Sequence, residues 1–375
     1  MSYTRKRAAS LIAATISAVL AISAAGCGST ESSTVDSKSA SATSAEDFGG
    51  MDALVKAAKA EGKLTLIACP DDWANWGKII KLFEKKYGID INSTNPDASS
   101  AEEIKAAKNL KGQSNAPDVF DLGAAVATTS TDYFAPYKVT RWSSIPDDNK
   151  ESSGLYVNDY TGVMSIGYDS SKVPRPTSVD DLLKSAYKGK VAINGDPTQA
   201  GAAFAAVGWV TLQEGGTLDD YSTGVNFFRK LNKAGNFLTV SATSSTVASG
   251  ETPVVIDWNY LNVAAAEQNA NYKTVVLPNK AYGAYYNQAI NKDAPHPAAA
   301  RLWQEFVFSD DVQNLFLKSG ALPVLAKSMT DAGTIDKAAL KKAGGLPDDI
   351  AIATSAQTTA ANTLLADTWS SVSAS

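Results

Sequence analysis

Reactive side chains are scarce in this chain of 375 residues, which carries two cysteines, Cys27 and Cys69, and a single histidine, His296. That imidazole sits between Pro295 and Pro297, so a Ser-His-Asp or Cys-His relay lacks a freely positioned base. No Cys/His cluster has metal-ligand spacing, and neither a GxxxxGK[ST] loop nor a strand–GxGxxG–helix unit is present. The expectation is no cofactor, no metal and no catalysis. Acids remain plentiful, so paired carboxylates for glycoside cleavage stay open, and an extracellular hydrolase is the alternative from another class. Positive charge is in deficit: 34 Lys and Arg stand against 39 Asp and Glu. With no basic patch, nucleic acid is not an expected partner.

The N-terminus supplies what a secreted chain needs. Arg5, Lys6 and Arg7 precede an uncharged run rich in Ala, Ile and Leu, and Cys27 follows Ala24-Ala25-Gly26. A basic start, a short apolar run and small residues before a cleavage point define a secretory signal over residues 1–26. The small residues before Cys27 resemble a lipobox, which implies acylation of Cys27 and a lipid anchor on the outer face of the cell membrane. A retained membrane span is the other reading, although Ser, Thr and Ala dilute the run. Removing Arg5, Lys6 and Arg7 leaves 31 basic residues against 39 acids, a net charge of −8. Residues 28–47, GSTESSTVDSKSASATSAED, hold no aromatic side chain and read as a tether that spans about 25 Å as a random coil. The linker is therefore set at 27–50. Cys69, in the apolar run LTLIAC, is expected to be buried and free of an intrachain disulfide.

From residue 51 onward, helical and strand patterns alternate, which argues for α/β architecture with mostly parallel sheets. A helix at 51–61 stops at Gly62, and 64–68 is a continuous apolar run of the kind covered on both faces. A second helix covers 78–87 and a strand 89–92. Ser99 and Ser100 each stand three before an acid, the spacing of a capping box, ahead of a helix to Leu110. Residues 117–123 form a third strand. A long strand at 160–168, strands at 190–194, 252–260 and 272–277, and a helix at 219–234 follow.

The stretch 282–297, YGAYYNQAINKDAPHP, joins a strand to a helix with an apolar face at Ala299, Leu302, Trp303, Phe306 and Val307. This order resembles the return segment of bacterial solute-binding proteins of ABC importers. The run DDLLKSAYKGKVAINGDP at 180–197 resembles another element of the same family. The similarity covers about residues 50–325 and is nearest to the polyamine, ferric-ion and aminoalkylphosphonate group. It implies the two-lobed type II periplasmic-binding-protein fold, with crossing strands at 160–168 and 284–291 as a hinge. Expected boundaries are lobe 1 at 51–164, lobe 2 at 165–286, a return to lobe 1 at 287–325, and C-terminal helices and tail at 326–375. The implied partners are a small solute and a membrane permease, for a monomer.

In open α/β sheets, ligands bind beyond the carboxyl ends of strands. Those ends offer Asp72, Trp73, Trp76, Asp121, Tyr160, Asp196, Trp258, Tyr260, Tyr285 and Tyr286 as candidate ligand contacts. Aromatic faces attract cations and carboxylates supply the opposite charge, so an amine or organic cation such as a polyamine leads the readings. Trp258 is the single residue most expected to stack on the ligand; Asp257, next to it, points to the opposite face of an extended strand. Each candidate has a plainer role open to it: the tryptophans as packing, Asp72 and Asp196 as helix caps, the tyrosines as strand aromatics. An anion held by Thr198 and residues 244–246, or ferric ion on Tyr285 and Tyr286, are the alternatives within the fold.

Overall fold

The computed structural model describes residues 37–277, 280–342 and 350–373; the expected signal peptide and Cys27 lie outside them. Eight main strands are β1 (Lys63–Ile67), β2 (Asp90–Thr94), β3 (Val119–Gly123), β4 (Met164–Asp169), β5 (Val191–Ile193), β6 (Val254–Trp258), β7 (Tyr272–Val275) and β8 (Tyr286–Asn291). The longer helices are α1 (Met51–Glu61), α2 (Trp76–Tyr87), α3 (Ser100–Asn109), α4 (Gly201–Gln213), α5 (Ser222–Lys233), α6 (Asn259–Gln268), α7 (Pro297–Val307), α8 (Asp310–Ser319) and α9 (Ser355–Thr368).

Lobe 1 is built on β1, β2, β3 and β8. β1 and β2 pair in parallel, with Leu64 beside Ile91. Asp118 ties β3 to β1: the Thr65 N–H donates to its carboxylate at 2.7 Å, and the Asp118 N–H donates to the Thr65 carbonyl at 2.9 Å. The same carboxylate receives the His296 N–H at 2.7 Å and lies 2.9 Å from His296 Nδ1, so the lone imidazole is a staple at the foot of α7. β8 runs antiparallel to β3, setting Tyr286 opposite Gly123 and Gln288 opposite Asp121. In lobe 2 the order is β7-β4-β6-β5, with β5 and β6 parallel and β4 antiparallel to both of its neighbours. The lobe 2 sheet is thus mixed, while lobe 1 holds a parallel pair and a separate antiparallel ladder. A strand that brings the chain back from the other lobe arrives running against its neighbours.

The chain first crosses between lobes near Gly162. The expected single strand 160–168 is two pieces there: Tyr160–Thr161 pairs with Leu322–Pro323, and β4 starts at Met164. A Cβ on Gly162 would lie 2.7 Å from the Tyr260 ring, so glycine lets the hinge pass under that side chain. The expected strand 252–260 ends at Trp258, and Tyr260 lies in the first turn of α6.

α7 starts as its sequence suggests, with Pro297 in the first turn. Glu61 at the end of α1 accepts the Ala298 and Ala299 N–H groups at 3.0 and 2.8 Å, capping the helix from another element. Trp303 on its apolar face stacks against Trp76 with centroids 5.8 Å apart. Arg301, only 1% exposed, donates to the carbonyls of Ala42 and Ala40, both at 2.7 Å. The linker expected over 27–50 is therefore docked on lobe 1 from Ser37 onward, with Ala42 and Ala45 buried. Its polar composition conceals this, because the partner that orders it lies far along the chain. The C-terminal α9 touches both lobes: Asn362 donates to the Ala125 carbonyl of lobe 1 at 2.9 Å, and Gln357 to Asp219 of lobe 2 at 2.8 Å. Among the described residues no helix is long and apolar enough to cross a membrane.

Candidate functional site

The carboxyl ends of β1, β3, β5 and β6 converge on a cavity of about 310 Å³ between the lobes. The lobes meet above it. The Ala101 N–H of α3 donates to the Gln199 carbonyl at 3.2 Å, and a Cβ on Gly123 would lie 2.6 Å from the Gly201 Cα. Two bare glycine backbones therefore let the lobes close to contact.

Seven acidic residues line the cavity, and no Lys, Arg or His does. Asp121 and Glu103 come from lobe 1 and Asp257 from lobe 2, all buried; Asp72, Asp97, Glu102 and Asp196 are exposed at the rim. Asp121 is held by three side-chain donors: Trp76 Nε1 at 3.2 Å, Tyr160 Oη at 2.9 Å and Gln288 Nε2 at 3.1 Å. The same Gln288 amide bridges to Asp159 at 3.0 Å. Burial raises the pKa of Asp121 despite these donors, and pushes the deeper Asp159 well above the carboxylate range with help from the Asp121 charge. Glu103 is likewise pushed well up, by burial and then by Asp121. Asp257 accepts the Trp258 N–H at 2.8 Å and Asn194 Nδ2 at 3.1 Å, yet burial still lifts it to about 7.

The capping-box spacing at residues 99–103 resolves into two jobs. Ser99 pairs with Glu102 in a capping box, its N–H donating to Glu102 at 2.8 Å. Ser100 and Glu103 turn instead to β3, accepting the N–H groups of Gly123 and Asp121 at 3.0 and 3.1 Å. They supply acceptors to β3, which is an edge strand with β8 on its other side.

The aromatic candidates separate into wall and floor. Trp73 and Tyr286 line the cavity. Trp76, Tyr160, Trp258 and Tyr260 are at most 2% exposed and are absent from its wall. Trp73 and Trp76 part company because Ala74 and Asn75 both take left-handed backbone (φ 46° and 66°), so the chain turns sharply before α2 begins. Trp258 donates Nε1 to Tyr286 Oη at 3.3 Å and lies parallel to Tyr260 at 6.4 Å. The alternation along β6 separates Asp257 from Trp258 as expected, but it is the acid that meets the cavity. Tyr285 also lies outside the wall, so the two adjacent tyrosines do not converge on one point. Among the described residues no group of three or more His, Cys, Asp or Glu is placed to hold a metal ion. Of the acids expected from sequence, Asp72, Asp121 and Asp196 line the cavity, the last with Oδ1 accepting from the Thr198 N–H and hydroxyl. Asp159, Gln288 and Glu103 were not anticipated. Gln288 stands in the sequence only as one of three polar residues in β8.

A sequence-family profile for bacterial extracellular solute-binding proteins matches residues 115–342, more than half of the chain. The chain belongs to that family. Solute-binding proteins of ABC importers work outside the cytoplasm, binding small solutes and meeting a membrane permease. Solved structures share the type II fold at low identity. The periplasmic binding protein AfuA from Actinobacillus pleuropneumoniae, with fructose-6-phosphate bound, has a TM-score of 0.62 at 18% identity, over 83% of this chain and 98% of that one. A putative spermidine/putrescine ABC transporter protein from Listeria monocytogenes has 0.62 at 12% identity, over 82% and 99%. Iron-bound HitA from Pseudomonas aeruginosa has 0.61 at 18%, over 83% and 99%. No curated protein matches the chain.

Proposed function

We propose that this solute-binding protein captures a small amine or organic cation, a polyamine being the leading class, and passes it to its permease. The observation that carries this reading is the cavity wall of seven acids without a base. An anion entering that wall would find acids on both lobes and no basic partner. A cation would instead restore the ionised form of Asp121, Glu103 and Asp257, which burial disfavours. A volume near 310 Å³ is at the small end for ligand pockets, which suits a small solute. Trp73 and Tyr286 add ring faces to the same wall. The lobes close over the ligand, and Cys27 carries a lipid that keeps the monomeric domain beside the membrane.

A thermal-shift panel of amines, phosphonates, phosphate esters and ferric citrate tests the reading on the purified protein. At ligand ~1,000 times above Kd, linkage adds about 4 kcal/mol, a shift of several degrees. Amines alone should raise the melting temperature. A shift with phosphonates or iron and none with amines would refute the cation reading, and turnover of a glycan or ester would restore the hydrolase.

A further inference from the structure

Glu103 is the most enclosed carboxyl in the cavity wall, and its hydrogen bonding is half complete. It is fully buried in α3 and lines the cavity. Its Oε2 accepts the Asp121 N–H at 3.1 Å, while Oε1 is buried without a hydrogen-bond partner among the described residues. A buried acceptor left without a donor is costly, and an apolar side chain would fill the same place at no such cost. The arrangement makes sense when something in the cavity supplies the donor. Aromatic surface cannot substitute for it: of the rings gathered around the hinge, only Trp73 and Tyr286 reach the wall, too few for a cage.

Resting on the cation reading, we propose that Glu103 is a ligand anchor whose Oε1 accepts an N–H from the solute. The site therefore selects ammonium groups that carry N–H donors, primary or secondary amines, over quaternary ammonium compounds. A quaternary nitrogen offers charge but no N–H, so it would leave Oε1 as unsatisfied as before and would depend on two aromatic rings, too few to enclose it. Selection follows from an unmet hydrogen bond at a buried polar group, a stronger discriminator than a change in apolar bulk.

The test is calorimetric titration of the full protein with 1,4-diaminobutane, its N,N′-dimethyl derivative and its bis-quaternary hexamethyl derivative, repeated on Glu103→Gln. The diamine and the dimethyl compound, which keep N–H donors, should bind within tenfold of each other. The bis-quaternary compound should bind at least 100-fold more weakly. Glu103→Gln keeps an oxygen for the Asp121 N–H and should fold, yet lose tenfold or more in diamine affinity. Equal binding of the quaternary compound by the wild type overturns the proposal even if the variant does not fold. A folded variant with unchanged affinity also overturns it, and in both cases the cation reading stands. If none of the three binds, that reading and Glu103 as its anchor fall together.

Discussion

In lobe 1 the cleft carboxyl Asp121 takes hydrogen bonds from Trp76 in α2, Tyr160 at the crossing and Gln288 in β8, and its own N–H is fixed by Glu103. In lobe 2 its counterpart Asp257 takes Asn194 and the next backbone N–H. Three separate elements must move to displace Asp121, but only a loop residue guards Asp257. A group already locked by packed donors pays little ordering entropy when a ligand arrives. On the proposed cation reading, the difference makes lobe 1 a preformed template and lobe 2 a cover completed on closure.

The largest effect that could break this comparison is expected at Asp121. Replacing it by Ala should weaken amine binding more than 100-fold and also destabilise the fold, because the buried donors of Trp76 and Tyr160 lose their acceptor at about 1–3 kcal/mol each. Calorimetry and thermal melts measure the two losses; full affinity in a folded variant would end the template role. Asp257→Asn should cost about tenfold in affinity with the fold intact, since Asn keeps an acceptor for the Trp258 N–H. Affinity losses as large as those of Asp121 would erase the asymmetry.

The same variant fixes the pH dependence. Asp257 titrates near 7 when folded against an ordinary 3.8, so between those values the native state holds a proton that the unfolded chain has released. Stability of the ligand-free protein must then fall as pH rises through that window, while affinity for a cation rises. Melts from pH 5 to 8 should show a downward slope, flatter in Asp257→Asn. The smallest expected effect concerns closure. Gly201→Ala places a methyl 2.8 Å from the Gly123 Cα, too close for the two backbones to keep their present approach. It should leave each lobe folded yet weaken binding several-fold. Small-angle scattering should show a wider cleft with saturating ligand; full compaction would show that the glycine contact does not set closure.

Much of the scaffold was readable because it follows local rules. The apolar run ahead of Cys69 forms β1, Gly62 and Gly88 end their helices in left-handed conformation, and Pro297 opens α7. The strand ends that gave Asp72, Asp121 and Asp196 do meet at the cavity. The aromatics were harder. Trp258, Tyr260 and Tyr160 carry the composition of a cation site, but burial at the hinge turns them into the packed layer behind the carboxyls. Nothing local distinguishes a ring in a wall from a ring in a floor. Glu103 was hidden by its capping-box spacing, which predicts a bond along its own helix rather than one to β3.

By itself the sequence determined the alternation of helices and strands, the family and the excess of acid over base, since these rest on periodicity, motif order and composition. The tertiary structure decided which charges share a space. Asp121 and Glu103 come from adjoining elements of lobe 1 and Asp257 from lobe 2, and only the folded chain brings all three to one buried cavity. Burial then raises their proton affinity, and that is the physical basis of the cation reading proposed above. The same packing decided that Arg301 would order the residues after Ser37, because a buried guanidinium needs carbonyl acceptors and the chain before α1 supplies them.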